Sequence, residues 1–350
     1  MGQVLAAEAK ARHAARLTAQ LLAGEPARDP AAVAERLLAI QGQDPRGARL
    51  AVRARSEGLT AADVDRALTD ERSLLITWLN RGTLHLVRSE DYPLIHAVTT
   101  PPLRTSSNRR LAEEGVPPDH AERGVAAIER ALAEEGPLSV DALRERVAAV
   151  GVRSERQAMY HLLYKASLDG RVVRGPMVGK KHAYALVRDW LGQPERVDRD
   201  EALAEFARRY LAGHGPAGER DMARWARIPL RDVRRGFQGI AGELDELGDG
   251  LVDLKARGPV AELPPPKLLG TFEEVLLGWD SREDIFGEHR SFGRDARLFD
   301  PFALAGGRAV AHWKLREGLV EIEPFGRLGK ADAAALDREA QDVLRFFTIG

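Results

Sequence analysis

The sequence predicts a mainly α-helical α+β fold: three tandem winged helix-turn-helix units with β-hairpin wings, then a C-terminal unit of a helix and a β-hairpin. Three observations predict it. Apolar residues at helical spacing are followed by short alternating stretches punctuated by Gly, which is the order of a winged helix. That order recurs along the chain as a repeat of pattern, with little residue identity between copies. From Pro259 the style changes to one long alternating stretch and a terminal amphipathic helix. The resulting units are residues 1–115, 116–196, 197–258 and 259–350.

The first unit opens on a polar-faced helix over residues 8–22, and a turn at 24–30 leads into a second helix carrying Val33, Leu37, Leu38 and Ile40. Gly42 is costly inside a helix and Pro45 pushes Asp44 out of the helical region, so this helix stops at about Gln41. Gln41 and Gln43 then stand on a short extended exit, where side chains two apart share a face. Such a pair can hold a water or a polar ligand; it can equally be a polar helix exit with solvated amides. Pro45 starts a third helix with Ala48, Val52 and Ala54 along one side and Gly58 at its end. Thr60 caps a fourth through Val64 and Leu68. Residues 74–78 and 81–87 read as a strand pair around a Gly turn.

In the second unit, residues 121–134 form a helix with Val125, Ile128 and Leu132 on one side, broken by Gly136 and Pro137. Ser139 caps the next, which carries Leu143, Val147 and Val150 and ends at Gly151. Ser154 opens a third with Met159, Leu162, Leu163 and Ala166. Asp169 and Gly170 turn the chain into a strand at 171–174, and a loop at 175–179 returns it as a second strand at 180–186. The third unit has a helix over 200–213 with Leu203, Phe206 and Tyr210 on one face, helices at 219–226 and 230–247, and a strand at 250–254. Pro264, Pro265 and Pro266 make a linker. Beyond it, Ala311, Trp313 and Leu315 face one way and His312, Lys314 and Arg316 the other; Glu317 and Gly318 turn this strand into a partner carrying Val320 and Ile322. Residues 331–347 form the last helix, with Leu336, Ala340, Val343, Leu344 and Phe347 as its core stripe.

A chain of 350 residues suits two to four domains. No apolar run is long enough to span a bilayer, and the polar-faced start has no signal-peptide core. Zero Cys excludes a disulfide framework, thiolate metal sites and a cysteine nucleophile, which fits a cytoplasmic protein. With 52 Lys and Arg against 53 Asp and Glu the net charge is −1, so binding to nucleic acid requires basic residues segregated onto particular faces.

One such set is in the second unit: Arg153, Arg156, Lys165, Arg171, Arg174, Lys180, Lys181 and His182, with few acids among them in sequence. Arg153 and Arg156 fall at the start of the third helix and the others on its end and the hairpin, the two elements a winged helix offers to DNA. A solvated charged face is the alternative. Arg224, Arg227, Arg231, Arg234 and Arg235 repeat the theme more weakly, and the acidic run at 243–249 reads as a solvated turn. There is no nucleophile elbow, no phosphate-cradling Gly loop and no paired-His zinc helix. The nine His are scattered, so neither a metal nor a cofactor is expected, and His85 reads as structural. Glu273 and Glu274 offer acid or base chemistry, but adjacent carboxylates on one element point apart.

The run Leu38-Ala39-Ile40-Gln41-Gly42-Gln43-Asp44, followed by Trp78-Leu79-Asn80-Arg81-Gly82-Thr83-Leu84-His85-Leu86-Val87, resembles the helix-turn-helix family of DNA glycosylases of AlkZ and YcaQ type. Ala223-Arg224-Trp225-Ala226, Phe272-Glu273-Glu274-Val275-Leu276-Leu277-Gly278-Trp279 and Trp313 extend the resemblance over most of the chain. It implies tandem winged helices in a C shape around a basic channel. It also implies hydrolysis of the N-glycosidic bond of N7-alkylated purines in double-stranded DNA, with some members acting on bulky adducts and interstrand crosslinks. The implied catalytic pair falls on Gln41 and Gln43; Gln rather than Asp at the second position places the chain on the AlkZ-like branch. Four departures bear on substrate range: Gly42 between the glutamines, Gly270 where a Pro is usual, Val275 where an aromatic is usual, and a divergent strand before Trp313. The expected enzyme is a monofunctional, cofactor-free monomer, associated with the nucleoid and not with membranes. A winged-helix regulator or damage binder without catalysis shares every basic residue and differs only at the glutamines; a protein-interaction scaffold would show no salt-dependent DNA binding.

Overall fold

The computed structural model describes residues 2–179, 181–192, 197–287 and 298–348, with backbone alone for 2–6 and 348. Among the described residues no helix is long and apolar enough to cross a membrane. The chain divides into two compact units, one of Met1–Val64 with Leu203–Gly350 and one of Asp65–Ala202.

The chain starts with α1 (Gly2–Ala19), α2 (Pro30–Leu37), the short strand β1 (Ile40–Gln41) and α3 (Pro45–Ala54). Asp29 caps α2 by accepting from the Ala31 amide at 2.7 Å, and Pro30 supplies the preset φ of a first helical residue. α2 stops at Leu37, earlier than the sequence suggests, because Leu38 takes a φ of +64°. The break has a packing reason. Leu37, Leu38, Ala39 and Ile40 are all buried, and one helix face cannot bury four successive residues. α3 presses its basic side inward: Arg53 bonds Asp342 (2.7 Å), Glu339 (2.8 Å) and the Leu268 carbonyl (2.7 Å).

The middle of the chain runs α4 (Ala61–Thr69), β2 (Leu74–Trp78), β3 (Leu84–Arg88), α5 (Tyr92–Thr99), α6 (Pro101–Glu113), α7 (Pro118–Glu135), α8 (Val140–Ala149), α9 (Ala158–Leu168), β4 (Val172–Val178), β5 (Lys181–Leu186) and α10 (Val187–Leu191). Within this unit the strands lie in the order β3-β2-β4-β5, all antiparallel. Hairpins that the sequence assigns to successive copies are thus neighbours in one sheet, joined where Ile76 pairs with Arg174. Trp78 locks the junction, stacked on Tyr184 (6.3 Å between ring centroids) and edge-on to Tyr164 (5.9 Å). Ser139 caps α8 as expected. Ser154 does not open α9: its hydroxyl donates to the Arg144 carbonyl (3.4 Å), Arg156 takes a φ of +51°, and the helix begins at Ala158.

The chain continues with α11 (Arg199–His214), β6 (Ala217–Gly218), α12 (Glu219–Ala226), α13 (Leu230–Gly239), β7 (Leu244–Glu246) and β8 (Leu251–Leu254). The helix expected over 230–247 is shorter in the structure. α13 ends at Gly239, a 3-10 turn covers Ala241–Glu243, and Leu244 enters a strand paired with Leu254. Gly239 and Gly242 weaken the helix at that point, and pairing in the three-stranded sheet β6-β8-β7 offers the backbone bonds instead. The acidic run is therefore half strand and half turn.

The C-terminal part holds β9 (Lys267–Leu269), α14 (Glu274–Leu277), α15 (Glu283–Phe286), β10 (Phe302–Ala305), β11 (Arg308–Arg316), β12 (Leu319–Pro324) and α16 (Lys330–Thr348). Its four strands form an antiparallel sheet in the order β12-β11-β10-β9. Leu268, Ala303, Ala311 and Trp313 from the sheet, Leu336, Ala340 and Val343 from α16, and Leu50 from α3 make one core. β11–β12 is the expected hairpin, although His312 is buried rather than exposed, with its ring against Phe325 (5.0 Å). On α16 the fully buried aromatic is Phe346, one residue before the expected Phe347.

Candidate active site and nucleic-acid interface

The segment between α2 and α3 carries Gln41 and Gln43. The backbone is extended at Ile40 and Gln41, as the Gly42 and Pro45 argument requires. The two side chains meet different surroundings: Gln41 is 6% exposed, whereas Gln43 is exposed. Asp44 is the N-cap of α3, its Oδ1 accepting from the Arg46 amide at 3.0 Å, while its Oδ2 accepts from the Thr271 hydroxyl.

The wall behind this segment comes from residues 270–279. The Gln41 amide donates to Glu274 Oε1 at 2.8 Å, and the Trp225 indole donates to Glu274 Oε2 at 3.3 Å. Glu273 caps α14 by accepting from the Glu274 amide (2.8 Å) and pairs with Arg55 (2.5 Å) where both side chains are fully buried. Arg55 also donates to the Gln20 carbonyl (2.8 Å), Gln20 Oε1 (3.0 Å) and the Ala51 carbonyl (3.0 Å). The two adjacent carboxylates, at 1% and 0% exposure, are therefore interior groups with hydrogen-bonding partners. Arg16 stacks over Trp279 at 4.8 Å, and His214 lies among Tyr210, Trp225 and Trp279, closing the apolar side of the wall. Sequence reasoning singled out the two glutamates and missed Thr271 and Gly47. The signal was faint: a Cβ on Gly47 would lie 2.8 Å from the Thr271 carbonyl, and one on Gly270 3.0 Å from the Gly47 carbonyl, so both glycines mark a close approach of two backbones.

The basic set of 153–182 is only partly brought together. Arg153 and Arg156 lie in the turn before α9 instead of on its first turn. Arg153 is exposed beside Glu155 (3.7 Å); Arg156 is exposed with no ion-pair partner among the described residues. Lys165 is 13% exposed between Glu122 (3.0 Å) and Asp169 (2.7 Å), and Arg171 bonds Glu129 (2.5 Å). Helix packing thus supplies acids that the local sequence lacks, and these bonds hold both side chains' pKa values up. Arg174 is half-buried in β4, His182 is buried with a ring nitrogen donating to the Gly175 carbonyl (3.2 Å), and Lys181 is exposed near Asp141 (3.3 Å). Lys180 lies outside the described residues. His85 is fully buried; desolvation, aided by the nearby Arg81 guanidinium, pushes its pKa far below the usual value, and one ring nitrogen donates to the Thr83 carbonyl at 2.9 Å. Among the described residues no group of three or more His, Asp or Glu could hold a metal ion.

The family model described as "DNA glycosylase AlkZ-like" matches residues 34–346. A relative from Streptomyces sahachiroi named "Interstrand DNA cross-link repair glycosylase" is 29% identical over 355 aligned residues, covering 92% of this chain and 92% of the relative. The solved structure of Streptomyces sahachiroi DNA glycosylase AlkZ matches with a TM-score of 0.77 at 26% identity, over 96% of each chain. The match takes in the glutamine segment, the Trp78–Val87 motif and the wall behind Gln41, and the chain belongs to the AlkZ-like family of DNA glycosylases.

Proposed function

We propose that this DNA glycosylase hydrolyses the N-glycosidic bond of N7-alkylated purines in duplex DNA, with Gln41 and Gln43 positioning the attacking water. The observation that carries the reading is the pair itself: Gln41 on the short strand β1 and Gln43 two residues on, with the neighbouring Asp44 bonded to the Arg46 amide and the Thr271 hydroxyl, and Glu273 and Glu274 buried among interior partners. Alkylation at N7 makes the base cationic, so it departs neutral and needs little acid assistance. What remains is an oxocarbenium-like sugar and a water to capture it. Two amide oxygens can orient that water and face the developing positive charge. Amides are weak bases, so the mechanism suits activated leaving groups and fails on undamaged DNA. The exposure of Gln43 beside the buried Gln41 supports a division of labour, with Gln43 meeting the substrate and Gln41 holding the water from behind.

DNA is held in this reading by Arg153, Arg156 and Lys181, whose exposure a phosphate contact needs. Lys165, Arg171, Arg174 and His182 bring partners or burial that DNA would have to displace, and contribute less. The name of the Streptomyces sahachiroi relative extends the proposal to interstrand crosslinks. The enzyme acts as a monomer at the nucleoid without a cofactor. Base release from a duplex containing one N7-methylguanine, read as alkali-labile strand cleavage, tests it. Release that disappears in Gln41→Ala/Gln43→Ala while DNA binding persists is expected; release at the wild-type rate in that variant overturns the glutamine mechanism.

A further inference from the structure

We propose that Glu274 and Thr271 are positioning residues that hold the segment of residues 41–44 at both ends and so fix the two glutamines for hydrolysis. The proposal rests on the reading of Gln41 and Gln43 as the catalytic pair. At one end Glu274 Oε1 accepts the Gln41 amide at 2.8 Å; at the other the Thr271 hydroxyl donates to Asp44 Oδ2, while Asp44 Oδ1 caps α3. Both holding groups lie within four residues of each other, and Gly42 and Gln43 hang between the two anchors.

The chemistry of Glu274 fits an anchor better than a filler. A fully buried carboxylate is a costly way to fill space, since apolar side chains of similar volume serve stability as well or better. Its two oxygens answer two N–H donors, Gln41 and the Trp225 indole, that an apolar residue would leave unsatisfied. The anchor is itself anchored. Glu273, the preceding residue, is the N-cap of α14 and pairs with the buried Arg55, which grips Gln20 in the turn that follows α1. At the other end no slack exists: Gly47 and Gly270 face each other so closely that a Cβ on either would meet backbone, which seats Thr271 against the start of α3. Gly42 leaves the segment free to vary its backbone, and two fixed ends remove that freedom. Catalytic groups must be held to a fraction of an ångström, and a misplacement of about 1 Å can cost roughly a hundredfold in rate.

The experiment compares wild type, Glu274→Gln, Thr271→Val, Thr271→Ser and Gln41→Ala/Gln43→Ala. It reads single-turnover release of N7-methylguanine from a duplex, Kd for the same duplex, thermal unfolding, and hydrogen exchange of the Gln41 amide. Gln at 274 offers one acceptor oxygen to two donors, and Val at 271 keeps the shape without the hydroxyl. The expected result is a roughly ten- to hundredfold lower release rate for both, with Kd unchanged. Thr271→Ser recovers most of the rate, and Gln41 exchange is faster in Glu274→Gln. Adding Thr271→Val to Gln41→Ala/Gln43→Ala costs nothing further, because the threonine acts only through the glutamines. Wild-type rates in Glu274→Gln and Thr271→Val with unchanged Gln41 exchange overturn the proposal, as does an equal loss from Thr271→Val with and without the glutamines. If Gln41→Ala/Gln43→Ala keeps the wild-type rate, the catalytic reading falls and the proposal with it. If that variant loses the rate while the 271 and 274 variants keep it, the proposal alone falls. Should Glu274→Gln fail to fold, Thr271→Val at its half-buried position carries the rate test. Gln41 exchange needs no substrate and checks the anchor whatever lesion is preferred.

Discussion

Gly47 shows how a single residue can be fixed by a site it does not belong to. It lies inside α3, where Ala would ordinarily stabilise the helix by about 1 kcal/mol. Yet the methyl group of an alanine would meet the Thr271 carbonyl at 2.8 Å, which is backbone and cannot swing away. Gly47→Ala is therefore expected to destabilise the protein by about 1–3 kcal/mol, the usual cost of overpacking, and to lower base release by shifting Thr271. Thermal unfolding beside single-turnover kinetics checks this; a variant more stable than wild type would show that the approach is looser than described. The same contact bears on Gly270: its Cβ position faces the Gly47 carbonyl at 3.0 Å.

At the scale of elements, helices with one apolar stripe are legible: α7 and α11 bury the residues their spacing predicts, including Val125 and Phe206, whereas α8 buries Leu143 and Val147 but leaves Val150 exposed, and α16 buries Leu336, Ala340 and Val343 but leaves Leu344 and Phe347 half-buried. Ends decided by tertiary contacts are not legible. α2 stops at Leu37 so that four successive residues can bury, and α13 yields to a strand because Leu244 finds a partner in Leu254. Ser154 looked like a cap and spends its hydroxyl on the Arg144 carbonyl. In the site, the glutamine pair and the adjacent glutamates are visible as residues; that Glu274 serves the backbone of Gln41 depends on a hydrogen bond 233 positions apart in sequence. The elements also carry a pH dependence. His13 on α1, His85 on β3 and His96 on α5 all have pKa values lowered chiefly by burial. The unfolded chain takes up protons near the ordinary value of about 6.5 while the folded chain resists, so stability falls as pH drops below that point. Melting temperature is expected to decline between about pH 7 and 5.5, before carboxylates titrate; a flat or rising profile would count against these histidines being buried and neutral.

For the whole molecule, a net charge of −1 means that DNA affinity must come from local arrangement. Three of the basic residues picked out by sequence, Lys165, Arg171 and Lys181, are tied to acids brought in by other helices, and Arg156 stands out as exposed and without an ion-pair partner among the described residues. Arg156→Ala should weaken binding to alkylated and plain duplex alike and reduce the magnitude of the salt slope of log Kd by about 0.9, the share of one phosphate contact. Titrations at several salt concentrations would read this, and an unchanged slope would remove Arg156 from the interface. The enzyme's chemistry is a separate matter, since a binder that lacked it would share every one of these cations. The most direct test of the central claim is single-turnover release of N7-methylguanine from a duplex by wild type and by Gln41→Ala/Gln43→Ala. The account predicts release by the wild type and its loss in the variant with duplex affinity retained. Equal release by both proteins would contradict it.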